Sequence, residues 1–145
     1  MGASNTPLKR VLFLCTGNSA RSQMAEALLR HVAGDRFQVF SAGTTPRQSV
    51  HPDAIHTLQR KSVPVDGLTP KDVATFAGQR FDYVITLCDR AREHCPRFDF
   101  AEMMHWTFPD PALVAEAAGR RRAFEEVFSG LSQRVRFLII VVEKT

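Results

Sequence analysis

An apolar run, Val11-Leu12-Phe13-Leu14, gives way after eight residues to the helix-like segment Gln23-Met24-Ala25-Glu26-Ala27-Leu28-Leu29. Few patterns restrict a fold more tightly. A continuous apolar strand is covered on both faces, as in parallel sheets, and such a strand leading straight into a helix opens a βαβ unit. The returning strand is read in Phe37-Gln38-Val39-Phe40-Ser41, closed by Ala42-Gly43, with a right-handed crossover expected.

The eight joining residues, Cys15-Thr16-Gly17-Asn18-Ser19-Ala20-Arg21-Ser22, have the composition of an oxyanion cradle. A loop entering a helix N-terminus offers unpaired N–H groups and the positive end of the helix dipole, which suit a tetrahedral anion. Thr16, Gly17, Asn18, Ser19 and Ala20 are small enough to let backbone approach it. Gly17 and Asn18 tolerate positive φ where the loop turns its amides inward. Arg21 supplies a planar fork for two anion oxygens. The same field is expected to lower the pKa of Cys15 to roughly 3.5–7.5, with Ser22 donating its hydroxyl to the thiolate. A buried structural cysteine would explain Cys15 alone. Cys, Gly, Arg and Ser gathered at one junction call for a nucleophile and its anion.

At 145 residues the chain is expected to form one catalytic domain over residues 8–145, preceded by a flexible arm at 1–7. The net charge of +4 favours anionic partners in general, but the basic residues are scattered apart from Arg120-Arg121-Arg122. That run reads as a solvated helix face, so no nucleic-acid partner is expected. No stretch is long and apolar enough for a signal h-region or a membrane span. Three cysteines without an export signal point to reduced, chemically employed thiols in the cytoplasm rather than to a disulfide framework.

Further along, Pro52 begins a second helix reaching about Arg60, and Thr69-Pro70 reads as the cap and first residue of a short helix to about Ala77. Phe81 to Leu87 is a third strand ending at Cys88. Trp106, with Met104, Thr107 and Phe108, suggests a last strand before the loop Pro109-Asp110-Pro111. Ile139-Ile140-Val141-Val142 is strand-like by propensity, but Phe124, Val127, Phe128, Leu131, Val135, Leu138, Ile139 and Val142 recur at helical spacing. One long helix from about Arg120 is therefore expected. The fold class is α/β, an open four-stranded, mostly parallel sheet with helices on both faces. Ligands of such sheets bind beyond the carboxyl ends of the strands, where Cys15 and Cys88 should meet at one rim.

Cys88 and Cys95 are separated by six residues, roughly 10 Å along a helix, whereas a disulfide needs Cα atoms within about 7 Å. Their pairing would require the segment to unwind. Arg90 and Arg92 could lower neighbouring thiol pKa values, although a solvated surface is the favoured reading of both. His94, His105, Cys88 and Cys95 are metal-capable, but their spacing matches no zinc pattern and no metal site is expected.

Cys-x5-Arg-Ser after an apolar strand resembles the low-molecular-weight protein tyrosine phosphatase superfamily. The fuller pattern Cys-Thr-Gly-Asn-Ser-x-Arg-Ser-Gln-Met-Ala-Glu is similar to its thiol-coupled arsenate reductase branch, and the likeness runs from Val11 to the C-terminal helix. It implies strand order 2-1-3-4. It also implies a relay in which Cys15 attacks arsenate, Cys88 attacks the adduct and releases arsenite, and Cys95 carries the disulfide outward. Asp110, before Pro111, matches the general acid of the superfamily. The phosphatase branch carries aromatic residues after that pair. Pro111-Ala112-Leu113-Val114 offers a phenyl ring little to stack on, which favours a small inorganic oxyanion such as arsenate, phosphate or sulfate. Some relatives bind potassium near the cradle. Glu26 and Ser41 match that pattern, but Lys71 stands where an aspartate is expected, so no potassium requirement is expected. The resemblance further implies an enzyme recharged by external reduced thioredoxin or another thiol donor; no tightly bound cofactor and a monomer are expected, although the sequence leaves oligomeric state open. Two rivals remain open: a phosphatase working through a phospho-cysteine, and a non-catalytic oxyanion-binding or redox-sensing protein.

Overall fold

In the computed structural model, which describes residues 7–144, the apolar run becomes β1 (Lys9–Cys15). It is followed by α1 (Arg21–Ala33), β2 (Phe37–Gly43), α2 (Pro52–Arg60), β3 (Tyr83–Thr86), α3 (Asp89–Glu93), β4 (Glu102–His105) and α4 (Ala117–Glu143). The strands form one sheet in the order β2-β1-β3-β4, and every pairing is parallel. Val11, Leu12, Phe13 and Leu14 are all fully buried. Alternate residues of a strand point to opposite faces, so burial of four in succession means that helices cover β1 on both sides. The arm expected at residues 1–7 lies, except for Pro7, outside the described residues.

The C-terminal helix resolves as its spacing requires. Phe124, Val127, Phe128, Leu131, Val135 and Leu138 are buried along α4, and Ile139 and Val142 pack on the same core. Strand propensity at its end is overridden because one helical face already has a core to cover. α4 begins three residues earlier than Arg120, where the Glu116 carboxylate accepts from the Gly119 amide at 2.8 Å.

Three expectations are corrected. The helix read from Thr69-Pro70 is only a 3-10 turn, Val73–Phe76, capped by Asp72 accepting from the Ala74 amide. The Thr69 carbonyl instead accepts from Gln23 and from the Lys71 ammonium. The last strand precedes Trp106, whose amide donates to the Thr86 carbonyl at the end of β3, while that of Phe108 donates to the Leu87 carbonyl just beyond it as the chain turns toward Pro109. Arg120 is not a solvated residue. Its Nε donates to Asp53 Oδ2 at 2.8 Å, and its Nη1 donates to the Val114 and Ala115 carbonyls.

The Asp53–Arg120 pair joins the first turn of α2 to the start of α4. The hydrogen bond from Arg120 holds the Asp53 carboxyl below its usual range. A carboxylate with a depressed folded pKa contributes stability that is complete above the ordinary value of 3.8 and is lost as pH falls through the lower folded value. Asp53→Asn is accordingly expected to lower the denaturation midpoint modestly at neutral pH. The gap should close in acid; a gap constant down to pH values below the folded pKa would rule the linkage out.

Among the described residues no helix is long and apolar enough to cross a membrane, and no group of three or more His, Cys, Asp or Glu is arranged to hold a metal ion.

Candidate active site

The loop after β1 takes its shape from a second loop, 44–51, that the sequence reading passed over. The amides of Thr44, Thr45, Arg47 and His51 donate to the carbonyls of Cys15, Thr16, Gly17 and Ser19 at 3.2, 2.9, 2.9 and 2.8 Å. In a trans peptide the C=O and the following N–H point to opposite sides. Tying these carbonyls outward turns the amides of Thr16, Gly17, Asn18 and Ala20 inward, and the Asn18 amide does donate to Cys15 Sγ at 3.2 Å. Gly43 was the available signal. A Cβ there would lie 2.5 Å from the Thr16 carbonyl oxygen, so only glycine lets β2 run this close beneath the cradle.

Of the two residues expected at positive φ, only Asn18 adopts it, at 49°. At Gly17 φ is not positive, and a Cβ would come within 3.2 Å of the exposed Arg47 side chain, which lies over the loop.

Cys15, Thr16, Gly17, Ser19, Ala20, Arg21 and Asp110 line one hollow of about 460 Å³, together with Arg47, Arg90 and Leu113. Asn18 and Ser22 lie behind it, both fully buried. They hold the sulfur instead of facing the hollow: Ser22 Oγ is 2.7 Å from Cys15 Sγ, and Asn18 Nδ2 donates to Ser22 Oγ at 2.7 Å. Arg21 donates from Nη1 to the Phe108 carbonyl at 2.9 Å, and its Nη2 lies 3.8 Å from Asp110 Oδ2. One guanidinium thus connects the cradle to the loop carrying the carboxyl. That carboxyl also accepts from the Ala112 amide, capping the turn Pro111–Leu113.

The expected acidic thiol is corrected. Burial pushes the Cys15 thiol up, outweighing the Ser22 hydroxyl and amide, the Arg21 charge and the Asn18 amide, which all pull it down. The sequence displays those hydrogen-bond donors but not the depth at which the sulfur sits.

Cys88 reaches the rim. It is the N-cap of α3, and its Sγ lies 3.4 Å from the hydroxyl of Thr16, the residue after Cys15. Cys95 lies beyond α3, with its sulfur directed to the Pro96 carbonyl, and burial pushes this thiol up as well. All three cysteines are free.

The potassium ion that the resemblance associates with Glu26 and Ser41 does not suit these residues. Ser41 donates to Glu26 Oε1, and the Lys71 ammonium lies 3.6 Å from the same oxygen while donating to the Thr69 carbonyl at 2.7 Å. Arg30 occupies the other carboxylate oxygen at 2.7 Å. The carboxylate already has two cations.

The family described as low molecular weight phosphotyrosine protein phosphatase matches residues 10–145. An arsenate reductase of Bacillus anthracis is 39% identical over 105 residues, 72% of this chain and 78% of that protein. One of Oceanobacillus iheyensis is 33% identical over 138 residues, 94% of this chain and 96% of that protein. Among solved structures, a Corynebacterium glutamicum thioredoxin-dependent arsenate reductase is similar over 97% of this chain, with a TM-score of 0.77 and 30% identity; the match spans 64% of that longer chain. A structure of an arsenate reductase in the phosphate binding state gives a TM-score of 0.79 at 28% identity, over 92% of this chain and 98% of the other.

Proposed function

The chain belongs to the low molecular weight phosphotyrosine protein phosphatase family, and from that premise we propose that it is an arsenate reductase working by a relay of three cysteines. The observation that carries the proposal is the position of the Cys88 sulfur at the cradle rim, 3.4 Å from the hydroxyl of Thr16, the residue after Cys15. A hydrolase of this family needs Cys15, Arg21 and Asp110 but has no use for a second thiol there. The relatives named as arsenate reductases support the same reading.

In the first step the Cys15 sulfur attacks arsenic. An S–As bond forms and an As–OH bond breaks, the hydroxyl leaving as water with a proton from Asp110. The thiol proton passes to a bound arsenate oxygen, so the attacking thiolate forms inside the cradle, where Ser22 and Asn18 hydrogen-bond to its sulfur; Asp110, having given up its proton, regains one from solvent. The cradle amides and Arg21 hold the remaining oxygens. In the second step Cys88 attacks Cys15 Sγ. An S–S bond forms, the S–As bond breaks, and its electron pair stays on arsenic, which leaves as arsenite after taking up protons. Two thiols have been oxidised by two electrons and arsenic reduced by two. Cys95 then displaces Cys15 from Cys88, and the Cys88–Cys95 disulfide is returned to thiols by an external dithiol. The thioredoxin-dependent relative supports thioredoxin as that donor. On this reading residues 8–145 act as one catalytic unit, a monomer in the reducing cytoplasm.

The test is a coupled assay offering arsenate with reduced thioredoxin, glutaredoxin or a low-molecular-weight thiol in turn. Arsenate-dependent oxidation of thioredoxin is the expected result. Aryl phosphate hydrolysis with no arsenate-dependent oxidation of any donor would replace the proposal by the phosphatase reading, and oxyanion binding with neither activity would leave a binder or sensor.

A further inference from the structure

Behind the hollow runs a buried hydrogen-bonded chain whose far end is a lysine from another part of the sequence. Asn18 is its centre. The Lys71 backbone amide donates to Asn18 Oδ1 at 2.8 Å. Because an amide N–H can only donate, this contact fixes which end of the carboxamide is oxygen. Nδ2 on the opposite side then donates one hydrogen to Ser41 Oγ at 3.0 Å and the other to Ser22 Oγ at 2.7 Å. Ser41, having accepted from Asn18, gives its own hydrogen to Glu26 Oε1. A carboxylate at that oxygen only accepts, and the Lys71 ammonium beside it supplies the matching charge. Ser22, likewise an acceptor from Asn18, is left to give its own hydrogen to Cys15 Sγ, 2.7 Å away. Asn18, Ser22 and Ser41 are fully buried and Glu26 nearly so, so water does not rearrange the chain.

We propose that Lys71 is a positioning residue for Cys15: its backbone amide and its ammonium together pin the Asn18 carboxamide, so that Ser22 donates its hydroxyl hydrogen to the Cys15 sulfur. The charged groups around this chain are Arg30 on the second Glu26 oxygen, and Arg21 beside Cys15 with Asp110, Arg47 and Arg90 across the hollow. Among the described residues Lys71 meets both ends of the Asn18–Ser41–Glu26 segment, through its amide at Asn18 and its ammonium at Glu26. The inference requires Cys15 to act as a nucleophile but not that arsenate be its substrate.

Alkylation of Cys15 by iodoacetamide tests it without arsenate, followed across pH by mass spectrometry of the Cys15 peptide. Lys71→Met keeps the backbone N–H and the length of the side chain but removes the charge. It is expected to move the midpoint of the alkylation profile up by about one pH unit and to slow alkylation at neutral pH about tenfold. Lys71→Arg should recover most of the wild-type rate. Ser41→Ala cuts the same chain without touching Lys71 and should shift the profile in the same direction. The double variant should be no slower than the slower single, since both break one path. Wild-type rates should match in potassium and choline salts. Superimposable wild-type and Lys71→Met profiles, an equal loss in Lys71→Arg, or a potassium-dependent wild type would overturn the proposal. Should Lys71→Met fail to fold, an unshifted Ser41→Ala profile would overturn it alone. Loss of arsenate turnover in the wild type with these alkylation results intact would instead remove only the reductase reading.

Discussion

Cys88→Ser is expected to reduce arsenate turnover by a factor on the order of a thousand or more while leaving aryl phosphate hydrolysis within about threefold of wild type. The asymmetry follows from electron bookkeeping. Hydrolysis transfers a phosphoryl group through Cys15 to water and oxidises nothing, so a second sulfur adds nothing to it. Reduction of arsenic needs an electron pair left behind when the S–As bond breaks, and only another thiol can take the Cys15 sulfur in exchange. A serine hydroxyl cannot be oxidised in that way. Serine also disturbs little locally, because it can keep both the N-cap position of α3 and a contact with the Thr16 hydroxyl. Two measurements check the prediction: arsenate-dependent oxidation of the reductant, and mass spectrometry after one turnover. The wild-type protein should yield a Cys15–Cys88 linkage that the variant lacks. Undiminished arsenate turnover in Cys88→Ser would end the relay.

The proposed relay would make opposite demands on Cys88 and Cys95. Cys88 is already at the rim, whereas Cys95 lies past the end of α3 with its sulfur on the Pro96 carbonyl. Linking Cys88 to Cys95 requires a five-residue helix to give up its hydrogen bonds. So short a helix has little intrinsic stability to lose. Its first turn is held by Asp89, which lies 3.0 Å from His105 Nε2 and 3.6 Å from Arg92. Unwinding α3 would therefore release a surface pair as well as backbone bonds.

What the sequence disclosed and what it withheld divide along contact range. The cradle was legible because its parts are consecutive: an apolar strand, small residues, Arg21 and a helix form one local pattern. The long α4 was legible because its apolar face repeats. Loop 44–51 was not, although it shapes the cradle, because its contribution is four backbone amides whose partners lie 29–32 positions earlier. Only Gly43 hinted at the close approach. Gly17 and Asn18 were not separable because either residue type accepts positive φ; of the two, it is Asn18 that adopts it. The ionisation of Cys15 is not legible in sequence for a related reason. Donors can be counted in a sequence, but the burial that opposes them depends on everything packed behind. Lys71 and Glu26, 45 positions apart, meet only because the loop after α2 returns to the cradle.

Arg21→Lys is expected to lower kcat/KM about a hundredfold or more toward arsenate and toward aryl phosphate alike, although the charge is retained. The guanidinium serves two partners that an ammonium cannot serve together. Its fork matches two oxygens of a tetrahedral anion, and its Nη1 also donates to the Phe108 carbonyl while Nη2 stays near Asp110. Lysine would bring one compact charge on a flexible stem, so anion geometry and the placement of the acid loop would loosen together. The kinetics should show both effects, with KM raised by weaker anion binding and kcat lowered by misplacement of Asp110 relative to the leaving oxygen. Asp110→Asn separates them. It keeps Arg21 and the Phe108 contact, so KM should change little while kcat falls, and the fall should be steeper for aryl phosphates with more basic leaving groups. A structural collapse would give a different result, visible as a lowered denaturation midpoint. If Arg21→Lys left both KM and kcat within about threefold of wild type, with the protein folded, then neither the fork nor its hold on the Phe108–Asp110 loop could be part of the chemistry.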